Sequence, residues 1–214
     1  AIQLAADLPY EQGLKREREL FTELQQSRDS SAQQHVFFAE RESTKVPDIP
    51  RTTPVRPIDA VGIIGAGTMG GGIAMNFLNA GIPVTLIEQK QEALDHGISI
   101  IRKNYQRSVK AGRMTEEALE ARITLITPSL DYADLASVDL IIEAVFETME
   151  IKKEVFSSID AVAKPGCILA SNTSYLDLDE IAGAPSRPQD VIGLHFFSPA
   201  NVMNLLEVVR GEHS

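Results

Sequence analysis

The chain has 214 residues, 30 of them acidic and 20 basic, for a net charge of −10. That balance excludes a non-specific nucleic-acid binder, which needs a basic face to displace counterions. With 6% aromatics and no Trp there is also little to stack single strands on. A single cysteine, Cys167, excludes a disulfide-stapled secreted fold and a zinc module, and points to a reducing, intracellular setting.

The first quarter differs from the rest. Between Tyr10 and about Gln26, Leu14, Phe21 and Leu24 fall at helical spacing. A break over Ser27 to Ser31 precedes a second helical run to about Glu42, which carries the apolar patch Val36, Phe37 and Phe38. From Ser43 to Ile58 the prolines at 47, 50, 54 and 57 forbid a helix and favour an extended connector. Residues 1–58 therefore read as a helical pair plus linker, too small for a core of their own. The first residue is Ala1 with no signal peptide behind it, and the last, Ser214, follows closely on an apolar run. The expectation is a piece of a longer chain.

From residue 59 onward, strands and helices alternate. Val61–Ile64 is a short apolar strand, followed by a glycine cluster and a helix to about Asn79. The stretch Ala60 to Ile87 has 28 residues without a charge, but seven glycines, Pro83 and two asparagines speak against a membrane span. Val84–Ile87 is the second strand. A long helix follows, with Leu94, Ile98, Ile101, Tyr105 and Val109 in step and Gly112 at its C-terminal cap. Thr115 caps a short helix, and Ile123–Ile126, Leu140–Ile142, Cys167–Ala170, Val191–His195 and Leu205–Val209 read as further strands. Ile151, Val155, Ile159 and Val162 mark the helix between the fourth and fifth strands. Strands joined by crossover helices imply an α/β fold: a doubly wound, mostly parallel sheet of Rossmann type, with an N-terminal helical linker extension.

Gly65-Ala66-Gly67-Thr68-Met69-Gly70 is a G-x-G-x-x-G directly after a strand and opening a helix. Gly65 allows the tight turn, Gly67 lets a pyrophosphate approach the backbone, and Gly70 permits close packing of helix on strand. Thr68 and Met69 bring helix N-terminal N–H groups to the phosphates. Glu88 ends the second strand 18 residues after Gly70, where a carboxylate binds both adenosine ribose hydroxyls and repels a 2′-phosphate. Strand, loop, helix, strand and acid together point to a dinucleotide, NAD rather than NADP, with FAD still open.

Three segments supply the rest of a site. DLIIEAVFE, residues 139–147, ends a buried strand, so Glu147 and the following Lys152 either face the ligand crevice or are a helix-start acid and a solvated lysine. Ser171-Asn172-Thr173-Ser174 follows another strand and either bonds a substrate oxygen or the nicotinamide carboxamide, or caps a turn. His195 ends an apolar strand, and Glu207 lies 12 residues on within the apolar run LLEVV. Each flanked by apolar residues, the two lower each other's burial cost by pairing, which prepares the imidazole as a proton acceptor.

Taken together, GAGTMG, IIEAVFETMEIKKEVF, SNTS and GLHFFSPANVMNLLEVV closely resemble the NAD-binding domain of L-3-hydroxyacyl-CoA dehydrogenases, over about residues 58–210. The HFFSP form is similar to the multifunctional β-oxidation enzymes, in which an enoyl-CoA hydratase precedes the dehydrogenase. LFTELQQSRDSSAQQHVFFAERESTKVP resembles the hydratase tail and linker of those enzymes. The resemblance implies His195 as catalytic base, Glu207 as its orienting acid and Ser174 as a hydrogen-bond donor to the reacting oxygen. It implies Glu147 and Lys152 near the nicotinamide ribose, Glu88 at the other ribose, and cofactor contacts from Asn172 and Ser198, the last standing where monofunctional relatives have Asn. It further implies an acyl-CoA thioester as substrate, with hydratase and C-terminal helical domains elsewhere in the same protein and no membrane span. The implied location is the cytoplasm in a bacterium, or otherwise an organelle of fatty acid oxidation. On this reading residues 1–214 bind NAD but turn over little alone. Another β-hydroxyacid dehydrogenase and a non-catalytic scaffold module remain as alternatives.

Overall fold

The computed structural model describes residues 2–46, 48–50 and 52–214, so Pro47, one of the four linker prolines, lies outside the described residues. The chain divides into two compact units, Ala1–Val55 and Arg56–Ser214. The first holds α1 (Ile2–Asp7), α2 (Tyr10–Gln25) and α3 (Arg28–Ser43). The break between α2 and α3 is shorter than expected. The Ser27 side chain accepts a hydrogen bond from the Ser30 N–H at 3.1 Å and caps α3, so residues 28–31 form its first turn. No described residue of α2 or α3 is buried, as so short a helical segment implies.

The second unit is built on a seven-stranded sheet. Its elements are β1 (Val61–Ile64), α4 (Thr68–Asn79), β2 (Val84–Ile87), α5 (Gln91–Lys110), α6 (Glu116–Ile123), β3 (Ile126–Ser129), β4 (Leu140–Glu143), α7 (Met149–Asp160), β5 (Ile168–Ser171), α8 (Leu178–Ala182), β6 (Val191–Phe196) and β7 (Leu206–Arg210). The strand order is β3-β2-β1-β4-β5-β6-β7. All pairs are parallel except β6 with β7. The chain leaves β1 toward β2 on one side and returns to β4 on the other, so the topological switch lies at the C-terminal ends of β1 and β4. Ligands of doubly wound sheets bind there.

Strand residues alternate between two cores, one on each face. Ile63, Leu86 and Ile142 join Ile73, Leu78, Ile101 and Tyr105 on one side. Ile64, Ile87, Ile141 and Leu169 join Val155, Phe156, Ile159 and Ile181 on the other. Burial on both faces is why these strands are continuous apolar runs rather than alternating ones.

β3 departs from expectation. The run at Ile123 completes α6, and the strand is Ile126–Ser129. It lies at the sheet's edge, which is where Pro128 is tolerated. α8 was not anticipated; Asp177 starts it by accepting from the N–H groups of Asp179 (2.9 Å) and Glu180 (3.3 Å). Among the described residues no helix is long and apolar enough to cross a membrane.

Candidate active site

The glycine loop turns between β1 and α4. Gly65 has φ +102°, and a Cβ there would lie 2.6 Å from the Ala144 carbonyl oxygen at the end of β4. A Cβ on Gly70 would come within 1.8 Å of the Gly65 carbonyl oxygen, so the helix can approach the strand only with glycine. Gly67 is different, since a Cβ there meets no atom within 4 Å. That open space fronts the first turn of α4, where the N–H groups of Thr68, Met69 and Gly70 lack intrahelical partners by helix geometry. Free donors, a positive dipole end and backbone that a ligand can approach closely fit a pyrophosphate. Glu88 stands on the β2 side of the loop and accepts from the Ala66 N–H at 3.1 Å and the Gln89 N–H at 2.7 Å. Its carboxylate is thereby fixed where an adenosine ribose would lie.

On the opposite side of β1 the ends of β4 and β5 hold a polar cluster. Glu147 accepts from the Thr173 hydroxyl (2.5 Å), the Ser174 N–H (2.8 Å) and the Lys152 ammonium (3.1 Å). Burial acts to raise the Glu147 carboxyl, but these donors outweigh it and hold the group below the usual glutamate range. Lys152 is not a solvated lysine. It is 1% exposed and pairs with both oxygens of Glu143 at 2.8 and 2.9 Å. Asn172 turns toward β6, its side-chain oxygen accepting from the Phe196 N–H at 3.0 Å. This ties the β5 loop to the strand that carries His195.

His195 and Glu207 sit directly opposite each other in the antiparallel pairing of β6 with β7. Their Nδ1 to Oε2 distance is 2.8 Å. The pairing expected from the sequence is present, but the burial of the acid is not. Every residue of β7 is exposed and the Glu207 side chain is 53% accessible, against 21% for His195. The apolar run LLEVV lies on an outermost strand whose outer faces are uncovered here. The Phe197 ring packs on His195 with centroids 4.5 Å apart. Ser174 and Ser198 are exposed, Ser174 with its hydroxyl 3.4 Å from Glu147 and Ser198 preceding the cis bond to Pro199. Among the described residues no cluster of His, Cys, Asp and Glu has the makings of a metal site.

Glu143 escaped the sequence reading. It is the last residue of β4, fully buried, and it bonds Lys152, the Val145 N–H and the Ser171 hydroxyl. The available signal was a carboxylate at the ligand end of an otherwise apolar strand, nine residues before a lysine.

A family model described as "3-hydroxyacyl-CoA dehydrogenase, NAD binding domain" matches residues 60–214, which contain the loop, the polar cluster and the His195–Glu207 pair. The chain belongs to this family. A curated relative, the peroxisomal bifunctional enzyme of Cavia porcellus, is 45% identical over 222 residues, covering 100% of this chain and 30% of its own. Among solved structures, M. tuberculosis FadB2 aligns with TM-score 0.71 and 41% identity, over 72% of this chain and 55% of its own. The dehydrogenase part of multifunctional enzyme 1 from C. elegans aligns with TM-score 0.70 and 33% identity, over 79% of this chain and 40% of its own. The chain thus spans about 30% of the length of the curated relative. The family's cofactor is NAD, and the Gly67 space, the helix N-terminus and Glu88 fit it.

Proposed function

We propose that the protein carrying this chain oxidises (S)-3-hydroxyacyl-CoA to 3-oxoacyl-CoA in fatty acid β-oxidation, with His195 as the base. The observation that carries this reading is the 2.8 Å contact of His195 Nδ1 with Glu207 at the ligand end of β6. A carboxylate on Nδ1 selects the tautomer with its proton on that nitrogen, leaving Nε2 unprotonated and able to accept. As Nε2 takes the 3-hydroxyl proton, Glu207 stabilises the imidazolium formed. Bound NAD supplies the acceptor for the hydride leaving C3. Ser174 donates to the reacting oxygen from a turn that Glu147 fixes through the Ser174 N–H. Its own hydroxyl, only loosely engaged at 3.4 Å, is free to re-aim.

Residues 1–58 are the tail and linker of a preceding hydratase on this reading, and residues 59–214 the NAD-binding domain. Val208 and Val209, exposed on β7 beside the catalytic pair, support packing against a further domain of the protein that completes the acyl-CoA cleft. The guinea-pig relative's name supports a peroxisomal setting. The test is stereospecific turnover by the whole protein. NADH should form from (S)-3-hydroxybutyryl-CoA and not from its R enantiomer or from free 3-hydroxybutyrate. Oxidation of the free acid at a comparable rate would point instead to a β-hydroxyacid dehydrogenase.

A further inference from the structure

Glu143 has no solvent exposure, yet it lies beneath the same crevice as Glu147. Its Oε1 accepts from Lys152 Nζ (2.8 Å) and the Val145 N–H (2.8 Å). Its Oε2 accepts from Lys152 Nζ (2.9 Å) and the Ser171 hydroxyl (2.7 Å). Two donors on each oxygen satisfy a carboxylate fully. Lys152 directs its ammonium to three carboxylate oxygens, the third being Glu147 Oε2 at 3.1 Å. An ammonium has three N–H groups, and these three oxygens match them in number. The ring then closes. The Ser171 hydroxyl accepts from the Thr173 N–H at 3.2 Å, and the Thr173 hydroxyl donates to Glu147 at 2.5 Å. Among the described residues no buried side-chain polar atom lacks a partner, so the ring is complete.

The charge of this ring has a sign. Two carboxylates and one ammonium sum to −1; Glu143 and Lys152 are buried and Glu147 is 29% exposed, a partly buried setting that salt screens weakly. A dinucleotide lies across the strand ends on both sides of the β1–β4 switch. With Glu88 placed for the adenosine ribose on the β2 side, the nicotinamide half falls over β4 and β5, where the ring emerges. The oxidised nicotinamide carries a positive charge that the reduced ring lacks.

We propose that Glu143 is a positioning residue: it holds Lys152 and the Ser171–Ser174 turn so that Glu147 faces the nicotinamide end of the cofactor, in a cluster of net charge −1 that favours the oxidised form. This rests on the NAD reading above.

The test titrates this chain with NAD and with NADH separately, by calorimetry, beside thermal melts. In Glu143→Gln the cluster becomes neutral, and NAD binding should weaken about fivefold more than NADH binding. The double variant Glu143→Gln/Lys152→Met removes a buried pair together, which folds tolerate better than loss of one partner, and restores −1. Its NAD-to-NADH affinity ratio should return to within about twofold of the unaltered chain, even where both affinities fall. A purely structural Glu143 would weaken both forms in parallel. An unchanged ratio in Glu143→Gln, or a double variant whose ratio stays shifted toward NADH, overturns the proposal. Should Glu143→Gln fail to fold, Glu147→Gln decides: it also takes the cluster to zero, at a side chain 29% exposed, so NAD binding should weaken about fivefold more than NADH binding, and an equal loss of both overturns the proposal. Failure of the unaltered chain to bind NAD at all would overturn the NAD reading itself, and this proposal with it.

Discussion

Two glycines three residues apart, Gly67 at the N-cap of α4 and Gly70 in its first turn, should respond in opposite ways to the same added methyl. Gly67 has φ −74° and a Cβ there meets nothing within 4 Å. Gly67→Ala therefore costs the fold little, about 1 kcal/mol for a poorer N-cap. In a chain of this size that lowers Tm by about 2–4 °C. The methyl instead occupies the space that a pyrophosphate needs, so NAD affinity should fall by about tenfold or more, from the loss of close hydrogen bonds to the backbone. Gly70→Ala is the converse. Its Cβ would sit 1.8 Å from the Gly65 carbonyl oxygen and 2.9 Å from its carbon. Backbone cannot swing aside as a side chain does, so α4 must separate from β1 at a cost of about 3 kcal/mol, seen as a much larger loss of Tm. Melting curves and NAD titration of both variants measure the contrast. A Gly67→Ala chain that keeps full NAD affinity, or melts as early as Gly70→Ala, would refute the assignment of that open space to the phosphates.

In the whole protein, His195→Gln and Glu207→Gln should each lower kcat by about 100-fold or more, with NAD binding nearly unchanged. Unaltered turnover in either would remove the proposed base or its orienting acid. The carboxyls of Glu147, Asp139 and Asp160 are all held below their ordinary ranges. For Glu147 and Asp160 burial opposes the shift and is outweighed by hydrogen bonds and cations, and for Asp139 the Lys164 ammonium leads. A depressed folded pKa gives stability that is present above the unfolded value of about 4 and lost as pH falls through the folded value. Urea midpoints should therefore decline as pH is lowered below about 4, and less steeply in Asp139→Asn. Cys167 is buried, and burial pushes its thiol up to about 11. A chromogenic disulfide reagent should leave it unmodified at neutral pH until denaturant is added; rapid reaction in the folded state would contradict its burial.

What was legible in the sequence followed from local physics. The G-x-G-x-x-G and Glu88 could be read because turn, helix start and second strand succeed one another along the chain. His195 and Glu207 could be paired because an antiparallel strand returns within 12 residues. The misreadings have equally physical causes. Ile123 and Leu125 pack against the core from the end of α6 and just beyond it, so their apolar run imitates a strand. The real β3 is an edge strand with little to bury, hence almost no pattern. Glu207 looked buried because its neighbours are apolar, yet whether an outermost strand is covered is not written in its own residues. Glu143 was missed because its partners lie nine and 28 residues away and meet only when β4, β5 and α7 assemble.

The central claim is that the β1 loop and Glu88 form an NAD site. Calorimetric titration of this chain with NAD and, separately, NADP tests it most directly. NAD should bind saturably and NADP at least about tenfold more weakly, because its 2′-phosphate would meet the Glu88 carboxylate. No saturable binding of NAD, or equal affinity for the two, would contradict it.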